Sequence, residues 1–97
     1  MSEINFDWNE QKAWGNEQKH GVSFEEAQTV FYDEHARLSY DPDHSQDEDR
    51  YILLGMSSNL RLLVVCHVYQ QSDACIRIIS ARKATKREQQ QYQSFNV

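Results

Sequence analysis

Three apolar runs, Tyr51 to Met56, Leu60 to Tyr69 and Cys75 to Ala81, follow one another, separated by the turn-like segments Ser57-Ser58-Asn59 and Gln70-Gln71-Ser72-Asp73. Linkers that short leave no room for crossover helices, so the runs pair as antiparallel hairpins and the second half of the chain is a β-meander. Leu62-Leu63-Val64-Val65-Cys66 barely alternates, which marks the middle run as a strand covered on both faces. Ala36 to Tyr40 supplies a further strand, and Asp41 to Asp49 has loop composition throughout.

The first third is built differently. Ile4, Phe6 and Trp8 alternate with polar residues as a short, half-buried strand. Asn9 can cap a helix from Glu10 to about Lys19, with His20-Gly21 as its stop. Ser23-Phe24-Glu25-Glu26 reads as a capping box in which the Glu26 carboxylate reaches back, and Val22 and Ala27 form a small staple across it. Phe24, Ala27, Val30 and Phe31 then recur at helical spacing, ending near Asp33. A second capping box, Thr85-Lys86-Arg87-Glu88, opens a terminal helix carrying Tyr92 and Phe95. The order is strand, two helices, four antiparallel strands, helix: an α+β fold with its helices segregated onto one side of the sheet. With 97 residues there is room for one modest core, so residues 1–97 are expected to form a single domain.

Charge is distributed unevenly. The net charge is −5, yet residues 1–49 hold 13 acids and 3 bases (−10), whereas residues 50–97 hold 2 acids and 7 bases (+5). Arg77, Arg82, Lys83, Lys86 and Arg87 crowd one strand-to-helix junction, which requires either acidic partners within the chain or a polyanionic ligand such as an RNA backbone. Alternation sets Arg77 on the face of Ile79, opposite Ile76 and Ile78, so a long cation emerges among apolar neighbours.

Two histidines invite a catalytic reading. His67 shares a face with Leu63 and Val65 and is either a general acid or base or a hydrogen-bonded core residue; His20, beside Lys19, either transfers protons or favours the negative end of its helix. Asp41, Asp43, Asp47 and Asp49 with His44 do not have calcium-loop spacing, and His44 alone is too little for zinc, so no metal is expected. No glycine-rich phosphate loop, dinucleotide fingerprint or serine elbow occurs, and no cofactor is expected. Cys66 and Cys75 form no C-x-x-C pair and read as reduced packing residues. No apolar run is as long as a membrane span, and Met1-Ser2-Glu3 lacks a signal-peptide pattern, so the cytoplasm is the expected location.

Phe6-Asp7-Trp8 with Lys12, the block Lys19 to Ala27, Val30-Phe31 with Asp33, Asp41-Pro42-Asp43-His44-Ser45, Arg50-Tyr51, Leu63-Val64-Val65 with His67, and Arg77 to Thr85 with Arg87-Glu88 and Tyr92 together resemble the BrnT family of type II toxin–antitoxin toxins. The resemblance implies a RelE-like fold and an endoribonuclease that blocks growth by cutting RNA. It further implies neutralisation by a ribbon-helix-helix antitoxin, two toxins with two antitoxins, with DNA contacted only through that antitoxin. A metal-independent ribonuclease of this kind uses the 2′-hydroxyl as nucleophile and needs a base, a proton source and cations around the phosphorus. On that reading Arg77 and Arg82 take transition-state charge, Lys19, Arg50, Lys83 and Arg87 hold phosphate, and His67, then His20, transfer protons. The alternative is a noncatalytic protein-binding module, or an attenuated toxin, whose basic junction is only charge compensation.

Overall fold

The hairpin spacing of the second half builds the sheet in this computed structural model, which describes residues 4–70 and 74–95. In chain order the elements are β1 (Asn5–Asp7), α1 (Glu10–His20), α2 (Phe24–Thr29) continued by a 3-10 turn (Val30–Tyr32), β2 (Arg37–Tyr40), β3 (Tyr51–Met56), β4 (Leu62–Gln70), β5 (Cys75–Lys83) and α3 (Lys86–Phe95). The sheet order is β1-β5-β4-β3-β2, so the poorly alternating run is the central strand. The turn residues Gln71, Ser72 and Asp73, the first residues Met1 to Glu3, and the Phe95 side chain expected on the last helix lie outside the described residues.

The expected antiparallel sheet holds for its four later strands and is corrected at one edge. β1 pairs parallel to β5, Phe6 opposite Ile76 and Asp7 opposite Arg77. Almost the entire chain runs between those two strands, which gives ample length for the crossover that parallel neighbours require. The expectation that all helices share one side is also overturned. Val22, Phe24, Ala27 and Val30 pack on Leu53, Leu63, Val65, Ile78 and Ala81, one face of the sheet. Tyr92 of α3 packs with Leu54, Val64 and Ala84, the residues that alternate with those and therefore face the other way. Because Ala84, the residue that leaves β5, belongs to this second cluster, the terminal helix is delivered to the opposite face.

The caps follow the sequence with one exception. Asn9 Oδ1 accepts from the Lys12 amide at 3.0 Å, and Gly21, at φ 69°, closes α1 by donating its amide to the Glu17 carbonyl at 2.8 Å. Ser23 Oγ accepts from the Glu26 amide at 3.0 Å, but the Glu26 carboxylate does not reach back. It accepts from Ser57 Oγ at 2.7 Å and from the Arg61 guanidinium, an ion pair that holds its carboxyl below the usual range although burial pulls the other way. Glu26 is nearly buried, and a charge there is better satisfied by a guanidinium than by one amide. The second box is complete: Thr85 Oγ1 accepts from the Glu88 amide at 3.2 Å, and Glu88 Oε1 accepts from the Thr85 amide at 2.8 Å.

Candidate functional site

The two sides of the sheet carry different chemistry because β5 is irregular. Pairing runs Leu63↔Lys83, Val64↔Arg82, Val65↔Ala81 and Cys66↔Ser80, then resumes at His67↔Ile78 and Val68↔Arg77, so Ile79 is an extra, unpaired residue. Such a bulge shifts the alternation by one. Arg77 and Arg82, five positions apart, would face opposite ways on a regular strand. The bulge puts both opposite the β4 residues Val68 and Val64, on the side away from α1 and α2.

On that side lies a basin of about 210 Å³ lined by Asp41, His44, Arg50, Ile52, Val64, Cys66, Ser80 and Arg82. Its floor comes from alternating positions of β3, β4 and β5, where the small Cys66 and Ser80 side chains leave depth. Burial pushes the Cys66 thiol up, so it stays protonated and is unsuited to nucleophilic attack. The wall is the Asp41–Arg50 loop, drawn closed by its own backbone: the Asp41 amide donates to the Arg50 carbonyl at 2.9 Å, and Ser45 Oγ accepts from the Arg50 amide at 2.8 Å while donating to the Asp41 carbonyl.

Two of the five cations of the basic junction, Arg77 and Arg82, are matched by acids of the same chain. Arg77 pairs with Asp7, its register neighbour on β1. Arg82 places its guanidinium fork on Glu88, at 2.8 and 2.9 Å, which brings the Glu88 carboxyl down to about 2. Lys83, Lys86 and Arg87 are exposed. Arg50 differs from Arg77 and Arg82: its Nε is buried with no hydrogen-bond partner among the described residues, and its side chain lines the basin. A buried guanidinium N–H left unpaired carries a cost that a shift of the side chain onto an incoming oxyanion would relieve.

Of the residues singled out in the sequence, Arg50 and Arg82 meet in the basin, whereas His67, His20 and Lys19 lie elsewhere. His67 is fully buried on the α1 and α2 side, edge-on to Phe31 at 4.8 Å between ring centroids. Its Nδ1 lies 3.1 Å from the Val65 carbonyl and its Nε2 3.2 Å from the Tyr69 hydroxyl. A carbonyl only accepts, so Nδ1 carries the proton and Nε2 receives the Tyr69 hydroxyl. Burial lowers the His67 pKa, leaving the ring neutral. Lys19 and His20 are the last residues of α1, Lys19 exposed and His20 half-buried.

Sequence reasoning missed His44 and Asp41 as a pair. His44 Nδ1 lies 2.9 Å from Asp41 Oδ2, with the Asp41 side chain 10% exposed and the His44 side chain 68% exposed. The i,i+3 spacing within a 3-10 turn started by Pro42 was the available signal, since that turn brings residues three apart onto one line. The loop composition drew attention to metals instead; among the described residues no three His, Cys, Asp or Glu side chains form a group able to hold an ion.

A family model described as the ribonuclease toxin BrnT of type II toxin–antitoxin systems matches residues 8–88. Among solved structures, the 1.1 Å crystal structure of the Brucella abortus ribonuclease toxin BrnT is similar, with 22% identity and a TM-score of 0.62 over 89% of this chain and 100% of that one. At that identity the likeness speaks for a shared fold. No curated protein matches the chain.

Proposed function

This chain belongs to the BrnT family of ribonuclease toxins of type II toxin–antitoxin systems, and from that premise we propose that it cleaves RNA, without a metal ion, in the basin between the Asp41–Arg50 loop and the outer face of β5. The observation that carries this reading is the buried, unpartnered Nε of Arg50 in a basin that also holds the Arg82 guanidinium. One scissile phosphate contacts Arg50 directly. Arg82, fixed by Glu88, adds positive potential beside it, and Arg77 on the same face, with Arg87 near the start of α3, continues the track for neighbouring phosphates, whereas Lys83, opposite Leu63, faces the other side of the sheet.

The reaction is internal transesterification. The 2′-oxygen forms a bond to the adjacent phosphorus, the bond from phosphorus to the 5′-oxygen breaks, and the products are a 2′,3′-cyclic phosphate and a 5′-hydroxyl. His67 is assigned to the core in this reading, since using its Nε2 would require breaking the Tyr69 contact and opening the packing around Phe31. His20 and Lys19 take no part in the basin.

The family membership implies an antitoxin, and the resemblance of the sequence supports one of the ribbon-helix-helix class, two copies with two toxins. The fold fits the RelE-like arrangement through its helices before a largely antiparallel sheet.

The Arg77–Asp7 and Arg82–Glu88 pairs favour a second reading, a noncatalytic partner-binding domain whose junction is charge compensation. Incubation of the purified chain with single-stranded RNA in excess chelator separates the two. Cleavage is expected, with kcat/KM lowered about 100-fold in Arg50→Ala and in Arg82→Ala. Intact RNA after prolonged incubation would leave the binding-domain reading standing, and full activity in both variants would remove the basin from the chemistry.

A further inference from the structure

We propose that His44, oriented by Asp41, is the base that takes the proton of the attacking 2′-hydroxyl. The inference rests on the RNA-cleavage reading above and names the proton acceptor of that same basin. Asp41 is held on all sides: its amide donates to the Arg50 carbonyl, its carbonyl accepts from Ser45, its Oδ1 accepts from the Asp43 amide at 3.2 Å, and its Oδ2 lies 2.9 Å from His44 Nδ1. An ionised carboxylate only accepts, so the proton of a neutral His44 sits on Nδ1 and the Nε2 lone pair is free. Among the described residues Nε2 has no hydrogen-bond partner, and the ring lines the basin together with Arg50 and Arg82.

This arrangement has the parts that proton abstraction needs. A nearly buried carboxylate selects the tautomer, limits ring rotation and stabilises the imidazolium once it forms, while the reacting nitrogen stays open to substrate. His67 shows the opposite disposition, with both nitrogens engaged inside the core. With a phosphate on Arg50, the preceding ribose is within the same small basin as His44. The 2′-hydroxyl proton passes to Nε2 as the bond from O2′ to phosphorus forms. The bond to the 5′-oxygen breaks, that oxygen takes a proton from water, and His44 returns its own to solvent, so no redox partner or covalent enzyme intermediate is involved. Asp41 is a positioning residue in this scheme.

The test uses a fluorescent single-stranded RNA oligonucleotide with excess chelator, and the same sequence with 2′-O-methyl groups to measure binding without cleavage. His44→Ala is expected to lower kcat about 100-fold or more while binding of the methylated RNA changes less than about twofold. Added imidazole should restore part of the rate to that variant. Asp41→Asn, which disturbs the tautomer, should lower kcat more than it changes KM. A parent that cuts RNA and a His44→Ala variant that cuts within threefold of it overturn the His44 assignment and leave the basin standing. RNA left intact by the parent overturns both.

Discussion

Two glutamates three residues beyond a hydroxyl cap end in different places, and the reason is what else lies within reach. Glu88 serves both its own helix start and Arg82, with a carboxyl held near 2 by that guanidinium, opposed by burial and helped by the Thr85 amide. A depressed carboxyl pKa contributes stability that is present above the ordinary value of 4.5 and lost as pH falls toward about 2. Glu88→Gln, which keeps a capping acceptor but loses the charge, should therefore lower stability at neutral pH by about 1 kcal/mol after discounting for the half-exposed Arg82, and should flatten the decline of the melting temperature between pH 5 and 2. An unchanged acid limb in thermal scans would show that Arg82 does not depend on Glu88. Tyr92 makes the mirror case: burial first, then the Asp33 carboxylate at 2.7 Å, raise its hydroxyl to about 12, so its contribution is complete below the ordinary value and lost as pH rises.

At the scale of elements, α1 completes the outer edge of β5. Beyond β1, which pairs with Cys75 to Arg77, the outer edge of β5 has no strand neighbour among the described residues. Asn16 of α1 supplies one with its side chain: Nδ2 donates to the Ala81 carbonyl at 2.8 Å and the Val22 carbonyl at 3.0 Å, and Oδ1 accepts from the Ala81 amide at 3.1 Å. A strand edge covered by a buried amide is protected from pairing with other chains. Asn16→Ala leaves the Ala81 amide and carbonyl unpaired next to a core position, and a loss of about 2–4 kcal/mol is expected, measurable by urea unfolding. Because Ala81 adjoins Arg82, RNA cleavage should fall in the same variant even where it remains folded. Gly55 plays a similar fitting role on β3: a Cβ there would come within 2.8 Å of Val30 Cγ1 and 2.9 Å of Ala36 Cβ, so its absence lets the 3-10 turn press on the sheet.

For the whole molecule, on the RNA-cleavage reading an acidic chain of net charge −5 meets a polyanionic substrate through the few cations that line or border the basin. Counterion release then gives a shallow salt dependence, a slope of about −0.7 per phosphate contact on single strands. Binding of 2′-O-methyl RNA should follow a log–log slope between about −1 and −2, and Arg50→Ala should bring it about 0.7 closer to zero. A slope steeper than about −4 would require more phosphate contacts than Arg50, Arg77, Arg82 and Arg87 supply.

Local chemistry in the chain determined the meander, the helix starts at Asn9, Ser23 and Thr85, the stop at Gly21 and the crowding of cations after Arg77, because hydrophobic period, caps and turns act between residues a few positions apart. The tertiary structure alone decided which cations face the same way, which carboxylate each one meets and which histidine stays open to solvent. Those outcomes depend on one unpaired residue at Ile79, on contacts as distant in sequence as Asp7 with Arg77 and Glu26 with Arg61, and on a loop that folds Asp41 inward beneath His44. Alternation along β5 carries no mark of the bulge, and an electrostatic partner is chosen by proximity in the folded chain, which composition does not encode.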